Sequence, residues 1–358
     1  MKLTLLEVLQ VRNLAQVSIR PDSRVNLFYG DNASGKTSLL EAIFLLSQGR
    51  SFRTRHLNNV TQSGKERFRL YAELESDTTH STRIGLERRV TNTELRIDQQ
   101  EVRQLSSLAR RLPLLIMHPE SHRLIEQGPS QRRKFLDWGM FHVEPNFHSS
   151  WKEYHRVLKQ RNAALRRASR ESEIEVWNKP LAEQAETITL QRQRYLEQLQ
   201  PILQDFAGKL FSIDVALEYQ TGWNRERSLP EALQRNLPGD RERGFTSSGP
   251  HRAELRMTCE GIPVQEKLSR GQKKLLVCAM LLAQSAHLRE STGKTPVILV
   301  DDLAAELDQA HRDRLLCLLQ DTGAQIFITS TGKDLVPLRG WESYKVFHVE
   351  HGQVTEVV

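Results

Sequence analysis

The sequence predicts an α/β fold built around a phosphate-binding loop and interrupted by a mainly helical insertion. Residues 30–37 read G-x-x-x-x-G-K-T, between a β-rich run at residues 25–29 and an apolar helix that follows. Four aliphatic residues and then two acids, at residues 297–302, predict a buried strand that ends in carboxylates. Between these motifs, residues 121–235 have a helical pattern rich in Arg, Gln and Glu. We therefore expect mixed sheets from residues 1–120 and 236–358 in one domain, and an inserted helical lobe at residues 121–235.

The glycine-rich loop has the spacing of a P-loop. Glycine permits the tight turn in which successive backbone N–H groups point at phosphate oxygens. We expect the lysine to contact the β- and γ-phosphates of ATP and the threonine hydroxyl to bind Mg²⁺. A glycine turn that merely precedes a lysine would read the same, but the flanking strand and helix favour a P-loop. Its residues are Gly30, Asp31, Asn32, Ala33, Ser34, Gly35, Lys36 and Thr37.

Charge and composition restrict the partners. The chain of 358 residues carries a formal net charge of +7, which suits a polyanion such as nucleic acid. No apolar run approaches the ~20 residues of a membrane-spanning helix, and Glu7 and Arg12 interrupt the first apolar stretch, so we expect neither a membrane span nor a signal peptide. Cys259, Cys278 and Cys317 are scattered, which predicts buried free thiols in a cytoplasmic protein.

The acidic strand end is typical of a Walker B motif. A buried strand carries its first carboxylate, Asp301, to the Mg²⁺ shell beside a P-loop. We expect the second, Asp302, to orient or deprotonate the water that attacks ATP, and we assign catalysis to Asp302 and Lys36. An ordinary strand that ends in an acidic turn would give the same letters.

A third motif, Leu268-Ser269-Arg270-Gly271-Gln272, precedes a helix with an apolar face. Ser269 is predicted to cap that helix, whose free N–H groups form an anion site. A plain helix cap is the alternative. With the order P-loop, signature, Walker B, the chain resembles ABC-type ATPases. The resemblance implies that Ser269, Gly271 and Gln272 bind the γ-phosphate of ATP held by another subunit.

The resemblance to ABC-type ATPases has departures. Residues 305–308, ending in Asp308, have the spacing of the D-loop, which in that class lies across the dimer interface and near the nucleotide. No switch histidine occurs at Thr329-Ser330-Thr331, so one of these hydroxyls is expected to serve. No glutamine stands at residues 118–120, and Asp302 replaces the usual glutamate. These departures indicate slow hydrolysis.

Six longer strings resemble those of one family, and several of the six are peculiar to it. They are Arg12-Asn13-Leu14 and residues 49–53, 126–138, 158–165, 248–255 and 300–308. Over essentially its full length the chain resembles the RecF family of bacterial recombination mediators, which have an SMC- or Rad50-like head. The resemblance implies ATP and Mg²⁺ as cofactors and an ATP-dependent homodimer with weak, DNA-dependent ATPase activity. It further implies a clamp on DNA at single-strand gaps that acts with RecR and RecO to load RecA.

A basic helix face is the best candidate for contact with DNA. At 100° per residue, the cations from Lys152 to Arg170 gather opposite an apolar stripe, within an arc of roughly 100°. We predict phosphate contacts there, with a solvated helix face as the alternative. The same alternatives apply to the run Arg132-Arg133-Lys134 and to Arg50, Arg53 and Arg55. The predicted DNA-binding residues are Lys152, Arg156, Lys159, Arg166, Arg167 and Arg170.

Two other classes of protein would share some of these motifs. One is the ATPase subunit of a membrane transporter, which the basic insertion and the long gap between P-loop and signature argue against. The other is a small-molecule kinase, in which the signature loop would have no purpose. Binding to DNA rather than membranes, and turnover that needs no metabolite, would separate these alternatives.

Overall fold

The computed structural model of the protein describes residues 1–75, 81–302 and 307–357, and the chain divides into two units. Unit 1 comprises Met1–Ser121, Lys209–Phe211 and Lys274–Val358, and unit 2 comprises His122–Gly208 and Ser212–Lys273. Unit 2 begins one residue after the predicted start of the insertion. It extends beyond the predicted end at residue 235, as far as Lys273.

Unit 1 contains the first strands and helices, a last set of strands, and most of one long helix. In chain order its elements are β1 (Lys2–Val11), β2 (Leu14–Ile19), β3 (Val25–Tyr29), α1 (Lys36–Gln48), β4 (Arg67–Glu75), β5 (Ser81–Arg89), β6 (Thr93–Ile97), β7 (Gln100–Glu101), α2 (Leu105–Arg111) and β8 (Leu114–Met117), then α11 (Arg270–Thr292), β12 (Val297–Val300), α12 (Gln309–Asp321), β13 (Gln325–Ser330), β14 (Tyr344–Glu350) and β15 (Gln353–Glu356). Short 3₁₀ helices occur at Leu57–Val60 and Lys333–Leu335.

One sheet of unit 1 has the strand order β15-β14-β3-β13-β12-β8. All of its strands run parallel except β15, which pairs antiparallel with β14. Strands β12 and β13 are buried along their whole length, as expected of parallel strands covered on both faces. The carboxyl ends of β3, β12 and β13 therefore meet at one edge, where each continues into a predicted site segment.

A second sheet, in the order β2-β1-β4-β5-β6-β7, is antiparallel in every pairing. Its strands alternate buried apolar residues with exposed polar ones, so the predicted period of two over residues 67–103 is confirmed for β4, β5 and β6. Helix α1 contacts strands of both sheets and is buried almost all round, as its continuous apolar sequence requires. Both sheets and α1 share one apolar core.

Unit 2 is mostly helical, but it also contains a small three-stranded sheet. Strand β9 pairs antiparallel with β10, and β10 with β11. The sequence analysis predicted a mainly helical insertion and did not predict strand β9. Because β9 pairs with β10, more than thirty residues further along the chain, unit 2 extends past residue 235. The elements are α3 (Arg123–Glu126), α4 (Pro129–Val143), α5 (Phe147–Arg166), α6 (Glu171–Glu175), α7 (Asn178–Phe211), β9 (Ala216–Gln220), α8 (Leu229–Arg235), α9 (Leu237–Arg243), β10 (Glu254–Cys259), β11 (Ile262–Pro263) and α10 (Val264–Lys267).

The two long helices of unit 2 bury apolar residues, and on α5 these belong to the stripe predicted opposite the cations. Tyr154, Leu158 and Leu165 of α5 are buried, and α7 continues for 34 residues through Pro201. No helix in the described parts of the chain combines the length and apolar character that crossing a membrane requires. The three cysteines are free thiols; Cys259 is buried, whereas Cys317 is exposed, so its predicted burial is wrong.

Candidate nucleotide-binding site

The predicted P-loop joins β3 to α1 and depends on glycine at both ends. Gly30 and Gly35 have φ angles of 152° and 125°, which side chains disfavour. A Cβ atom at Gly30 would lie 2.1 Å from the carbonyl oxygen of Val349, and one at Gly35 would lie 2.9 Å from the Leu14 side chain. Any larger residue at either position would therefore force the loop apart.

Lys36 points into the loop that precedes it. Its side chain is buried, and Nζ donates hydrogen bonds of 2.7 Å to the carbonyl oxygens of both Gly30 and Asp31. Burial lowers the pKa of the Lys36 ammonium, while the nearby Asp302, Asp301 and Asp31 carboxylates oppose that change. The ammonium is thus positioned where hydrogen bonds to carbonyl groups can exchange for stronger ones to phosphate oxygens.

Four polar side chains converge beside Lys36. The Thr37 hydroxyl donates to Asp301 over 2.9 Å, and the Thr329 hydroxyl donates to the same carboxylate over 2.8 Å. Thr329 Oγ1 also accepts the backbone N–H of Asp302, at 2.8 Å. Of the three hydroxyls proposed at the end of β13, Thr329 is therefore the one that contacts both acids. Asp302 has a φ of 54°, a left-handed conformation of the kind found at functional sites.

A cleft of about 670 Å³ opens over these residues within unit 1. The predicted residues Asn32, Ala33, Gly35, Lys36, Thr37, Asp301 and Asp302 line it. Gly30, Asp31 and Ser34 shape the loop without lining the cleft. The sequence did not identify several other lining residues, which come from the β1–β2 turn and from residues 53–63: Arg12, Asn13, Arg53, Asn59, Thr61 and Ser63.

A buried carboxylate orients two arginines of the cleft. Glu41 of α1 is fully buried and accepts two hydrogen bonds of 2.9 Å from Arg12, one of 3.3 Å from Arg53 and one from the Ser51 hydroxyl. Glu41 thus ties three chain segments into one wall. The sequence contained a signal for this role, because Glu41 is the single acid within the apolar run of residues 39–46. A charge buried in such a helix needs a partner, so cationic partners could have been expected.

Substituting Glu41→Gln should weaken ATP binding and lower stability together. The amide keeps the shape but leaves two guanidiniums without a counter-charge, and both are partly exposed, so we expect a loss of about 1–3 kcal/mol in the free energy of unfolding. Calorimetric titration with ATP and denaturant unfolding would measure the two effects. Glu87→Gln is the matched control, because Glu87 faces three arginines on the outer sheet face. If Glu41→Gln and Glu87→Gln lose the same ATP affinity and the same free energy of unfolding, Glu41 has no specific role in the cleft.

The signature segment begins α11 with a reciprocal cap. The Ser269 hydroxyl accepts from the Gln272 backbone N–H at 3.3 Å, and the Gln272 side chain accepts from the Ser269 N–H at 2.9 Å. The predicted capping role of Ser269 is thereby confirmed. Ser269 and Gly271 are exposed, and a Cβ built at Gly271 would meet no atom within 4 Å other than those of its chain neighbours and its own helix backbone. The segment belongs to unit 2, whereas the P-loop belongs to unit 1.

The predicted D-loop is described only in part. Ala305 and Glu306 lie outside the described residues, and Asp308 caps α12 by accepting the His311 backbone N–H at 3.0 Å. Hydrogen bonds from the His311 backbone and ring lower the pKa of Asp308. Asp308 is absent from the lining of the cleft, so its assignment to nucleotide binding stays a prediction.

The basic candidates separate into different environments. All six cations predicted on and after α5 are exposed, and Arg156 forms an ion pair with Glu153. Arg132, in contrast, is buried and holds Glu254 with two hydrogen bonds of 2.7 Å. The DNA-contact interpretation of Arg132 is therefore wrong, because its charge is used inside unit 2. Arg50, Arg53 and Arg55 are all exposed, and Arg53 in addition pairs with Glu41.

A P-loop after a buried parallel strand, an acidic pair at the end of a nearby strand and a capped signature helix define an ATPase head of the ABC and SMC class. Residues 2–355 match the family described as RecF/RecN/SMC N terminal domain. A protein of Thioalkalivibrio sulfidiphilus, described as DNA replication and repair protein RecF, is 46% identical over 98% of each chain. A Shewanella sediminis protein of the same description is 42% identical over the whole of both. The chain belongs to the RecF family.

Solved structures agree with this membership. A structure described as the recombination mediator protein RecF-ATP in the RecFOR pathway has a TM-score of 0.89 at 28% identity, and the match covers 100% of this chain and 98% of the other. An Smc head bound to a domain of ScpA has a TM-score of 0.64 at 14% identity over 100% and 97%, a likeness that shows the fold alone. Membership of the RecF family excludes the transporter subunit and the kinase as classes.

Proposed function

We propose that this protein is an ATP-dependent DNA-binding protein of recombinational repair and replication-fork recovery. The observation that carries the proposal is the convergence of Lys36, Thr37, Asp301 and Asp302 on one cleft. Related proteins are named for DNA replication and repair, and a related structure is described with ATP in the RecFOR pathway. By this relationship, we propose RecR, RecO and the RecA pathway as partners and the cytoplasm as location, where free cysteines persist.

The donor set fits Mg²⁺ bound together with ATP. Thr37 and Asp301 offer hard oxygen ligands 2.9 Å apart, and Mg²⁺ prefers one or two such groups with phosphate oxygens and waters. Among residues 1–75, 81–302 and 307–357, no three His, Cys, Asp or Glu side chains form a cluster that could hold a metal ion. Phosphate oxygens of the nucleotide and waters would complete the shell. When bound, Mg²⁺ would neutralise charge on the phosphates.

The residues of the cleft have separate roles in the proposed mechanism. Lys36 and the P-loop N–H groups hold the phosphates, and Arg12 adds positive charge at the wall of the cleft. Asp302 orients the attacking water, and Thr329 fixes the Asp302 backbone through its 2.8 Å hydrogen bond. Two heads join around ATP, each giving its P-loop to one nucleotide and its signature loop to the other. Hydrolysis then separates the heads and releases the DNA.

Changing Asp302→Asn should leave ATP binding nearly unchanged and slow hydrolysis by about 100-fold or more, because the attacking water loses its carboxylate. Lys36, Thr37 and Asp301 remain, so the ATP-bound dimer should persist and be visible by size-exclusion chromatography. Phosphate release under single-turnover conditions would measure the chemical step. If hydrolysis continues at the original rate, another residue activates the water.

Charge reversal on α5 tests the DNA-binding part of the proposal. Changing Lys159, Arg166 and Arg167 to Glu should weaken binding to gapped duplex DNA and flatten its salt dependence. Each lost phosphate contact removes about 0.9 from the log–log salt slope. Reversing Lys179, Arg194 and Arg227, which are also exposed in unit 2, makes the same change in net charge and should retain the slope. If both triple variants show the same salt slope, the basic face of α5 does not contact DNA and is a solvated surface.

A further inference from the structure

An aromatic ring and three arginines cluster where α9 ends in unit 2. The Arg252 guanidinium lies 4.8 Å from the centroid of the Phe245 ring, and the Arg243 guanidinium lies 5.8 Å from it. Arg166, near the end of α5, packs at Gly244, where an added Cβ would lie 3.1 Å from Arg166 Cγ. We call Phe245, Arg166, Arg243 and Arg252 the Phe245 cluster. All four side chains belong to exposed residues.

A buried ion pair fixes the loop that carries the cluster. Arg161 and Asp240 are both fully buried and lie 2.9 Å apart. Arg161 also donates to the Thr246 hydroxyl at 2.7 Å, and Asp240 accepts the Ser247 backbone N–H at 3.0 Å. Asn162 accepts the Thr246 N–H at 2.8 Å. Burying two charges is costly, and here the network holds one loop conformation directly after Phe245.

A second buried network fixes the other end of the loop. The Tyr154 hydroxyl lies 2.6 Å from His251 Nδ1, and His251 Nε2 lies 2.9 Å from the Thr246 carbonyl oxygen. Burial lowers the pKa of His251 to about 4, so the ring stays neutral and its bonds persist at physiological pH. Gly249 leaves room for the Tyr154 hydroxyl, 2.5 Å from where a Cβ would stand. The string at residues 248–252 therefore places Arg252 beside Phe245.

The charge of the cluster is mostly uncompensated. In the described chain, no carboxylate forms an ion pair with Arg166, Arg167, Arg170 or Arg252. Arg243 lies 3.7 Å from Asp240, but that carboxylate is already engaged by Arg161 and Ser247. Arg167 and Arg170, which follow α5, are also exposed, and the exposed acids Glu171 and Glu173 come next along the chain. The positive cluster is complementary to a polyanion.

We propose that the Phe245 cluster binds the phosphodiester backbone of duplex DNA, an inference that rests on the proposed function. A guanidinium that stacks on an aromatic ring keeps its N–H edge available for phosphate, and the ring limits its motion. The Phe245 ring is already in contact with the guanidiniums of Arg243 and Arg252. We therefore expect the ring to orient these two groups and not to stack on a DNA base. The cluster therefore recognises the backbone irrespective of sequence.

Fluorescence anisotropy of a labelled duplex with ATP, over a series of salt concentrations, tests the cluster. Arg243→Gln and Arg252→Gln should each lower the salt slope by about 0.9, which makes binding roughly eightfold weaker at 0.1 M salt. Arg252→Lys keeps the charge without the planar stack, so it should retain the slope with reduced affinity. Arg194→Gln, an exposed arginine of α7 outside the cluster, should bind as the unchanged protein does.

Different results overturn different statements. If the unchanged protein binds duplex DNA and both glutamine variants retain its salt slope and affinity, the Phe245 cluster does not contact DNA, while the proposed function stands. If the unchanged protein fails to bind DNA with ATP, the proposed function fails and the cluster fails with it. If polyglutamate competes as strongly as unlabelled duplex, the surface is a general anion site and its assignment to DNA is overturned.

Discussion

Replacing Lys36 with methionine should abolish measurable ATP binding by the isolated chain. The ammonium donates two hydrogen bonds of 2.7 Å inside the P-loop, and the motif assigns this side chain to the β- and γ-phosphates. Methionine has a similar length and no charge. Losing charge-assisted hydrogen bonds to phosphate costs about 3 kcal/mol or more, which corresponds to at least a hundredfold in affinity. Calorimetric titration with ATP measures this directly.

The Lys36→Met variant needs a control for folding, because Gly30 and Asp31 lose their donor. Thermal unfolding without nucleotide should show a cooperative transition, and ATP should raise the melting temperature of the unchanged protein alone. If the Lys36→Met variant binds ATP with unchanged affinity, the assignment of residues 30–37 as a P-loop is wrong.

Ser269→Arg should block ATP-driven dimerisation while leaving ATP binding by the single chain nearly intact. Ser269 is exposed at the start of α11 and belongs to unit 2, so the P-loop, Thr37 and Asp301 of unit 1 are unchanged. A bulky cation would occupy the place of the hydroxyl proposed to cap the γ-phosphate on another head. The lost helix cap costs only about 1 kcal/mol. Light scattering with ATP would show monomers where the unchanged protein dimerises.

Mixing the two variants gives the sharper experiment. A dimer of one Ser269→Arg chain and one Lys36→Met chain pairs one intact P-loop with one intact signature loop. It therefore has one complete site, and part of the hydrolysis that both variants lack alone should return. The composite site is wrong if the mixture stays inactive although mixed dimers demonstrably form.

Local patterns predicted the parts of the site that one segment specifies by itself. The P-loop needs a strand, a glycine turn and a helix in succession, and β3 and α1 supply them. The Walker B strand is a continuous aliphatic run because β12 is buried on both faces. The Ser269 cap is also local, since both of its hydrogen bonds lie within four residues.

Pairings between distant segments could not be predicted in this way. The role of Glu41 depends on Arg12 and Arg53, which approach it from separate segments. Periodicity could not tell Arg132, which reaches Glu254 across 122 positions, from an exposed neighbour. The choice of Thr329 over Ser330 depends on which hydroxyl of β13 faces β12. A single sequence specifies residue types, whereas these partners follow from the register of long-range strand pairs.

The order of strands around β3 has a consequence for how the protein is made. The P-loop strand has β13 on one side and β14 on the other, and Gly352 donates its N–H to the Ser34 carbonyl oxygen at 2.8 Å. Residues 325–352 must therefore leave the ribosome before the nucleotide site near residue 36 can close. A nascent chain that stalls earlier would carry every P-loop residue and still lack its scaffold.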